Sequence, residues 1–258
     1  MDITDKTYSG RTWSRPGQLS TTKADSLSPD FLHLYATTED NYSQYKAVSV
    51  VPAFPFNLTH TPKGAGSYQG GAGTYIWGGL RCWAWDAPEA LTTGTLTIDG
   101  AEVAVIPEKS ITWMDWQYGP GYASEGWYSF VIALTNGVKI TTMTTYPNSK
   151  YPTGSVATLG FPDGHHEVYA LDRDFHPADP WVSKDTNVTY YKSYQVNVPA
   201  KGISLNVSLA MEGGELYNPD TEGIIIADTF SYFEGTYEGL PVTGWGNSER
   251  MSGNSPNV

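Results

Sequence analysis

Apolar and polar residues alternate with a period of two along most of the chain, the signature of half-buried β-strands. The clearest run sets Ile203, Leu205, Val207, Leu209 and Met211 against Ser204, Asn206, Ser208 and Ala210. A second places Val188, Tyr190, Tyr194, Val196 and Val198 at the same period, broken only at Lys192. Asp99-Gly100 lies between Thr95–Ile98 and Ala101–Val105, and Asn136-Gly137 between Trp127–Thr135 and Val138–Thr145. Both dipeptides tolerate the positive φ of a tight hairpin, so antiparallel meanders are expected. Strand signals recur at roughly 8–12-residue intervals from Tyr35 to Arg250, which predicts about a dozen or more strands in sandwich or barrel form.

A boundary near Pro107–Ser110 divides this pattern into a β-domain over 1–107 and a more complete barrel over 108–258. The glycine-rich run Gly64–Gly73 lacks the strand before and helix after that a phosphate loop needs. It continues into Thr74–Trp77, another strand pattern, and is expected to be a β–β connection. The tail from Ser252 to Val258 is polar and expected to fray.

Composition narrows the field. The 258 residues include 27 Gly and 17 Pro, which cost about 1 and about 3 kcal/mol in a helix interior and so argue against long helices. No run of apolar residues is long enough for a transmembrane helix. The start, MDITDKTYSGRTW, has no basic-then-apolar leader, which predicts a chain without a signal peptide, cytoplasmic as written. Four sequons, at Asn41, Asn57, Asn187 and Asn206, point instead to N-glycans and a secretory route, should the native chain extend upstream. The net charge is −12 with basic residues scattered singly, which excludes the phosphate contacts of a nucleic-acid binder.

Candidate chemistry is limited. The lone Cys82 excludes an internal disulfide and a cysteine zinc site, and reads as a spectator. His165-His166-Glu167 and the later Asp172, Asp174 and His176 could be metal ligands in type. Adjacent strand residues face opposite ways, however, and Pro162-Asp-Gly marks an exposed turn, so no metal is expected. No nucleophile elbow, triad spacing or cofactor loop is present, and no cofactor is expected. Catalysis would then fall to carboxylates, tyrosines and indoles.

Two segments offer such groups. In Ile111–Gly119, a strand would turn Trp113, Asp115 and Gln117 to one face and Met114, Trp116 and Tyr118 to the other. Burial between the indoles would raise the pKa of Asp115 and suit it to proton transfer; the alternative is a structural, hydrogen-bonded Asp. In Ile224–Glu234, Ile224, Ile226, Asp228, Phe230, Tyr232 and Glu234 share one face. That face is expected to line a cavity, since otherwise four large apolar residues would meet solvent.

These segments resemble the carotenoid-hydratase (hydroxyneurosporene synthase) superfamily. The resemblance rests on Trp83–Gly100, with Pro88, Thr93-Gly-Thr-Leu96 and the Asp99-Gly100 hairpin, followed by Trp113-Met-Asp-Trp-Gln-Tyr-Gly119. It extends to Tyr232-Phe-Glu-Gly235 and Gly244-Trp-Gly-Asn-Ser-Glu249, and spans about 35–250. It implies an all-β chain of two packed lipocalin-like antiparallel barrel or sandwich domains, the first trimmed or completed by another copy. Two departures stand out. Trp116 replaces the usual Arg, and Tyr118 replaces the usual Trp before Gly119; the missing cation would raise the pKa of a buried Asp115 further.

The family includes hydratases and fungal cyclases and Diels–Alderases. The resemblance therefore implies a cofactor-independent cyclase acting on a hydrophobic terpenoid or polyketide intermediate. Asp115, Asp228 and Glu234 would be the acids, with Trp113, Trp116, Tyr118, Trp127, Phe230 and Tyr232 as substrate-binding walls. A hydratase or dehydratase of a prenylated or isoprenoid substrate is the alternative within enzymes. A non-catalytic carrier of apolar ligands and a carbohydrate-active β-sandwich are the alternatives outside that family of reactions.

Overall fold

A computed structural model describes residues 1–8, 10, 16–20, 22–77, 79–120, 126–145, 154–217 and 225–252. Ile224 and the tail 253–258 lie outside them. Strand makes up 62% and helix 4% of the chain, so the all-β class holds.

Among the described residues, ten strands precede residue 120: β1 (Gln18–Leu19), β2 (Asp25–Ser28), β3 (Leu32–Ala36), β4 (Tyr45–Ser49), β5 (Phe56–Pro62), β6 (Ser67–Tyr68), β7 (Thr74–Trp77), β8 (Leu80–Ile98), β9 (Ala101–Ala104) and β10 (Ile111–Tyr118). Ten follow: β11 (Gly126–Leu134), β12 (Lys139–Thr145), β13 (Ser155–Gly160), β14 (His166–Ala170), β15 (Ala178–Val182), β16 (Thr189–Val198), β17 (Ile203–Leu209), β18 (Glu215–Leu216), β19 (Ile225–Tyr237) and β20 (Leu240–Ser252). Three single-turn 3-10 helices, Gln69–Gly71, Pro107–Lys109 and Pro199–Lys201, join them.

The chain divides into two compact units. The smaller takes Ser14–Gly66 and Asp86–Trp116; the larger takes Met1–Trp13, Ser67–Trp85 and Gln117–Val258. In the smaller unit the strand order is β1-β2-β3-β4-β5-β8-β10, all described neighbours being antiparallel. Asp99 (φ 50) and Gly100 (φ 78) close the β8–β9 hairpin as a two-residue turn, as their dipeptide predicts. Gly94 has φ 117, and a Cβ there would collide with the Asn57 carbonyl on β5. This explains the glycine inside an otherwise β-branched Thr-Thr-Gly-Thr run. The buried residues of this unit are Tyr45, Met114 and Trp116 together with small and polar groups, including Ala87, Ala90, Asp86 and His60. His60 Nδ1 lies 3.1 Å from the Thr92 hydroxyl, and burial holds its pKa below the ordinary value.

The larger unit carries the curled sheet β14-β13-β12-β11-β20-β19-β17-β16-β15, with β18 on β19. One face of it, here the inner face, holds the main core. Tyr128, Phe130, Ile132 and Leu134 of β11 meet Ile140, Leu159, Val196, Leu205 and Phe233. The alternating run Ile203–Leu209 is a strand whose Ile203, Leu205 and Val207 are buried while Ser204, Asn206 and Ser208 are exposed. Val188 is buried just ahead of β16. The second turn differs from expectation. Leu134 N–H donates to the Val138 carbonyl (3.0 Å), so Asn136-Gly137 sits in a four-residue loop between Leu134 and Lys139. Only Gly137 of the two takes a positive φ (91°), the one position of that loop that needs glycine.

The glycine-rich run is a β–β connection, as expected, and is anchored. Gly70 N–H donates to the Thr158 hydroxyl (2.9 Å) and Tyr68 N–H to His166 Nε2 (3.1 Å).

Candidate active site

Strands β11, β20 and β19 are consecutive neighbours, and their register sets the site. On the face away from the core, Ser129 lies opposite Glu249, and Glu249 opposite Asp228. One step along, Asn247 lies opposite Phe230, and then Trp245 opposite Tyr232. Alternation makes this a single row of side chains.

The row lies on the outer face, so the inward reading of Ile226, Asp228, Phe230, Tyr232 and Glu234 is corrected. The buried set on β19 is Ala227, Thr229, Ser231 and Phe233, the last three at most 1% exposed. Tyr232 is 52% exposed and Glu234 is exposed. The reason is steric. The inner partners of Ser231 and Phe233 on β20 are Gly246 and Gly244, and a Cβ on Gly246 would collide with the Val131 carbonyl of β11. The glycines bring three backbones together and leave Phe233 as the ring that fills the interior. The apolar outer residues do not stand alone in water. Ile226 packs with Trp127, Met143 and Met251, and Phe230 lies 5.3 Å from Tyr232 and 6.5 Å from Trp245, ring centre to ring centre.

Within this row two carboxylates face each other across adjacent strands, where Cβ atoms stand about 4.5–5.5 Å apart. Asp228 is half-buried and accepts a hydrogen bond from Asn247 Nδ2. Burial pushes its pKa above the ordinary carboxylate value, against the opposite pull of that bond. Glu249 accepts from the Trp127 indole N–H. Trp127 is 5% exposed, and Trp77 meets it edge-on at 4.8 Å and 87°. The arrangement gives one carboxyl inclined to keep its proton, one carboxylate oriented by an indole, and an aromatic surface beside them. Such a pair can donate and accept protons on one bound molecule.

Sequence reasoning reached Asp228, Trp127, Phe230 and Tyr232, and the structure brings these four to one face. It missed Glu249, Asn247 and Trp245. Their signal was present, since Trp245, Asn247 and Glu249 alternate within the Gly244–Glu249 element. Glu234 sits six residues from Asp228 along β19, about 20 Å at strand rise, and does not join the pair.

Trp113, Asp115 and Trp116 belong to the smaller unit, on β10. Asp115 is exposed, which corrects its expected burial between indoles. Met114 and Trp116, 7% and 8% exposed, take the buried face, and alternation turns Asp115 out. Trp113 is half-buried. Tyr118, 44% exposed, stacks on Trp83 at 5.5 Å and 10° within the larger unit. Cys82 is buried, and Gly119 (φ 143) packs against it so closely that a Cβ there would come within 2.9 Å.

Among the described residues no group of three or more His, Cys, Asp or Glu could hold a metal ion. His165 pairs with Asp163 (2.5 Å) and His176 with Asp174 (3.5 Å). Among the same residues no helix is long and apolar enough to cross a membrane.

The profile of the family described as AttH-like matches residues 4–251. The dehydratase asqC of Emericella nidulans is 26% identical over 218 residues, covering 81% of this chain and 61% of that protein. The kievitone hydratase of Fusarium solani subsp. phaseoli is 24% identical over 226 residues, covering 86% of this chain and 63% of that protein. The chain thus spans a little over three fifths of the length of both curated relatives. The crystal structure of kievitone hydratase from Nectria haematococca superposes with a TM-score of 0.76 and 24% identity, over 90% of this chain and 71% of that one.

Proposed function

The chain belongs to the AttH-like family, and on that premise we propose that it is a hydro-lyase that adds or removes water on an apolar, oxygenated small molecule. The observation that carries this reading is the Asp228–Glu249 pair, two carboxylates opposed on one aromatic-walled face with unlike surroundings. The names of the relatives, a dehydratase and a hydratase, support the same class of reaction.

In the dehydration direction Glu249 takes a proton from carbon while Asp228 gives its proton to the departing hydroxyl. A C–H and a C–O bond break, a C=C bond forms, and water leaves. Hydration is the reverse. Desolvation keeps Asp228 protonated to higher pH than an exposed Asp, which suits it to the acid role. The Trp127 N–H fixes the aim of Glu249, and Phe230, Tyr232 and Trp245 give the substrate a stacking surface.

A shape-driven cyclisation of a terpenoid or polyketide would use the same aromatic wall without the acids. Mass balance separates the two. A host metabolite extract incubated with the protein in ¹⁸O-labelled water is expected to yield a protein-dependent pair of compounds differing by one water. A product isomeric with its precursor would replace the hydro-lyase with a cyclase. No protein-dependent change would leave a carrier.

A further inference from the structure

The smaller unit carries an exposed apolar tip that the proposed reaction does not use. Register sets several strand ends side by side: Leu32 lies opposite Ser49, Ser49 opposite Phe56, and Phe56 opposite Leu96. The β8–β9 hairpin extends the same end, with Ile98 opposite Ala101 and Val103 opposite Leu96. Here Leu32, Val50, Phe54, Ile98 and Val103 are all exposed, Val50 at 55% and Phe54 at 53%. The other ends of β3 and β4 are joined by the polar run 37–44, so the apolar character belongs to one end only.

The loop 50–55, Val-Val-Pro-Ala-Phe-Pro, joins β4 to β5 without a single polar side chain. It is pinned rather than slack. Val50 N–H donates to the Phe31 carbonyl (3.0 Å), Phe54 N–H to the Val51 carbonyl (2.9 Å), and Thr97 N–H of β8 to the Pro55 carbonyl (2.9 Å). Val51 N–H donates to the Ser49 hydroxyl (3.3 Å). Pro52 and Pro55 have no N–H, so five of the six residues present no free backbone donor. Phe54 is thus held at the surface, its ring edge-on to Phe56 at 6.0 Å and 73°. Large apolar groups on a loop whose donors are already used suit a medium that offers no hydrogen bonds. A protein partner would draw on hydrogen-bonding side chains, and this loop has none. Charge selects among lipid surfaces. The segments 28–32, 49–56 and 96–104 carry Asp30, Asp99 and Glu102 and no basic residue, in a chain of net charge −12. An anionic surface would repel this end, and a zwitterionic one would not.

We propose that the tip docks the protein on the surface of a zwitterionic bilayer, with Val50, Phe54 and Ile98 entering the interface. The proposal concerns the smaller unit alone and stands apart from the hydro-lyase reading.

The test is sedimentation of the full chain with phosphatidylcholine vesicles. Saturable co-sedimentation is expected, insensitive to added salt and equal in Asp228→Asn. Replacing a third of the lipid by phosphatidylserine should weaken it at low ionic strength, and salt should restore it. Phe54→Ser should weaken binding about three- to tenfold, and the double change Val50→Ser, Phe54→Ser about tenfold or more, with far-UV circular dichroism unchanged. Should these variants fail to fold, Ile98→Ser on the separate β8–β9 hairpin should weaken binding about threefold. No co-sedimentation with phosphatidylcholine would overturn the proposal. So would tighter binding to the phosphatidylserine mixture, or unchanged binding in every folded variant. A dimer in lipid-free solution that Phe54→Ser dissociates would assign the tip to a second copy of the chain and overturn it too.

Discussion

The two faces of the β11–β20–β19 ribbon differ in how they treat their acids. Against the inner face, on the adjoining strand β18, Glu215 is 4% exposed and accepts three hydroxyl donors. On the outer face Asp228 is desolvated with one amide donor and faces a second carboxylate. A buried acid that accepts three hydroxyl donors is well compensated and reads as structural material. A desolvated acid with little compensation is destabilised in its charged form, which suits it to hold and give a proton. The difference teaches that depth of burial alone does not mark a site; the shortfall of partners does.

The largest expected effect breaks the packing side of this contrast. Phe233→Ala, at a 1%-exposed ring opposite Gly244, should cost about 3–5 kcal/mol in urea unfolding. A loss below about 1 kcal/mol would mean that the inner face is not the core.

A smaller effect sharpens the electrostatic side. The folded pKa of Asp228 lies above its unfolded value of about 3.9, so below that pH both states hold the proton. As pH rises through the folded pKa, the unfolded chain releases its proton first, and stability falls before levelling off. Urea midpoints of Asp228→Asn should therefore lack this fall, and the gap between variant and wild type should close toward about pH 4. A gap independent of pH would remove desolvation as the cause. The smallest effect is expected at Tyr232→Ala, where a 52%-exposed ring should cost about 1 kcal/mol or less.

The pairing of Tyr232 with Phe233 also shows what was legible in the sequence. Period two assigned Ile226, Asp228, Phe230 and Tyr232 to one face and Ala227, Thr229, Ser231 and Phe233 to the other, and the structure keeps both sets intact. Which set turns inward is not a property of β19 alone. It is decided on β20, where Gly244 and Gly246 leave inner room for a ring, and on β11, whose Phe130 and Ile132 supply the core. A count of bulky apolar residues favoured the wrong face because Ile226 and Phe230 find cover from Met251 and Trp245 on the neighbouring strand. Asp115 failed for a related reason. Two flanking indoles in sequence are not two enclosing indoles in space, because adjacent residues leave the sheet on opposite sides and the buried Trp116 turns away from Asp115. Glu249 became visible only through register, which places it opposite Asp228 and beside Trp127.

The central claim is that Asp228 and Glu249 act together as acid and base in a hydration or dehydration. Its most direct test follows incorporation or loss of labelled water by the wild-type chain, Asp228→Asn, Glu249→Gln and the double variant. Each single change should lower the rate about 10²–10⁴-fold with far-UV circular dichroism unchanged, and the double should be little worse than either. Water exchange that continues at the wild-type rate in the folded double variant would contradict the account.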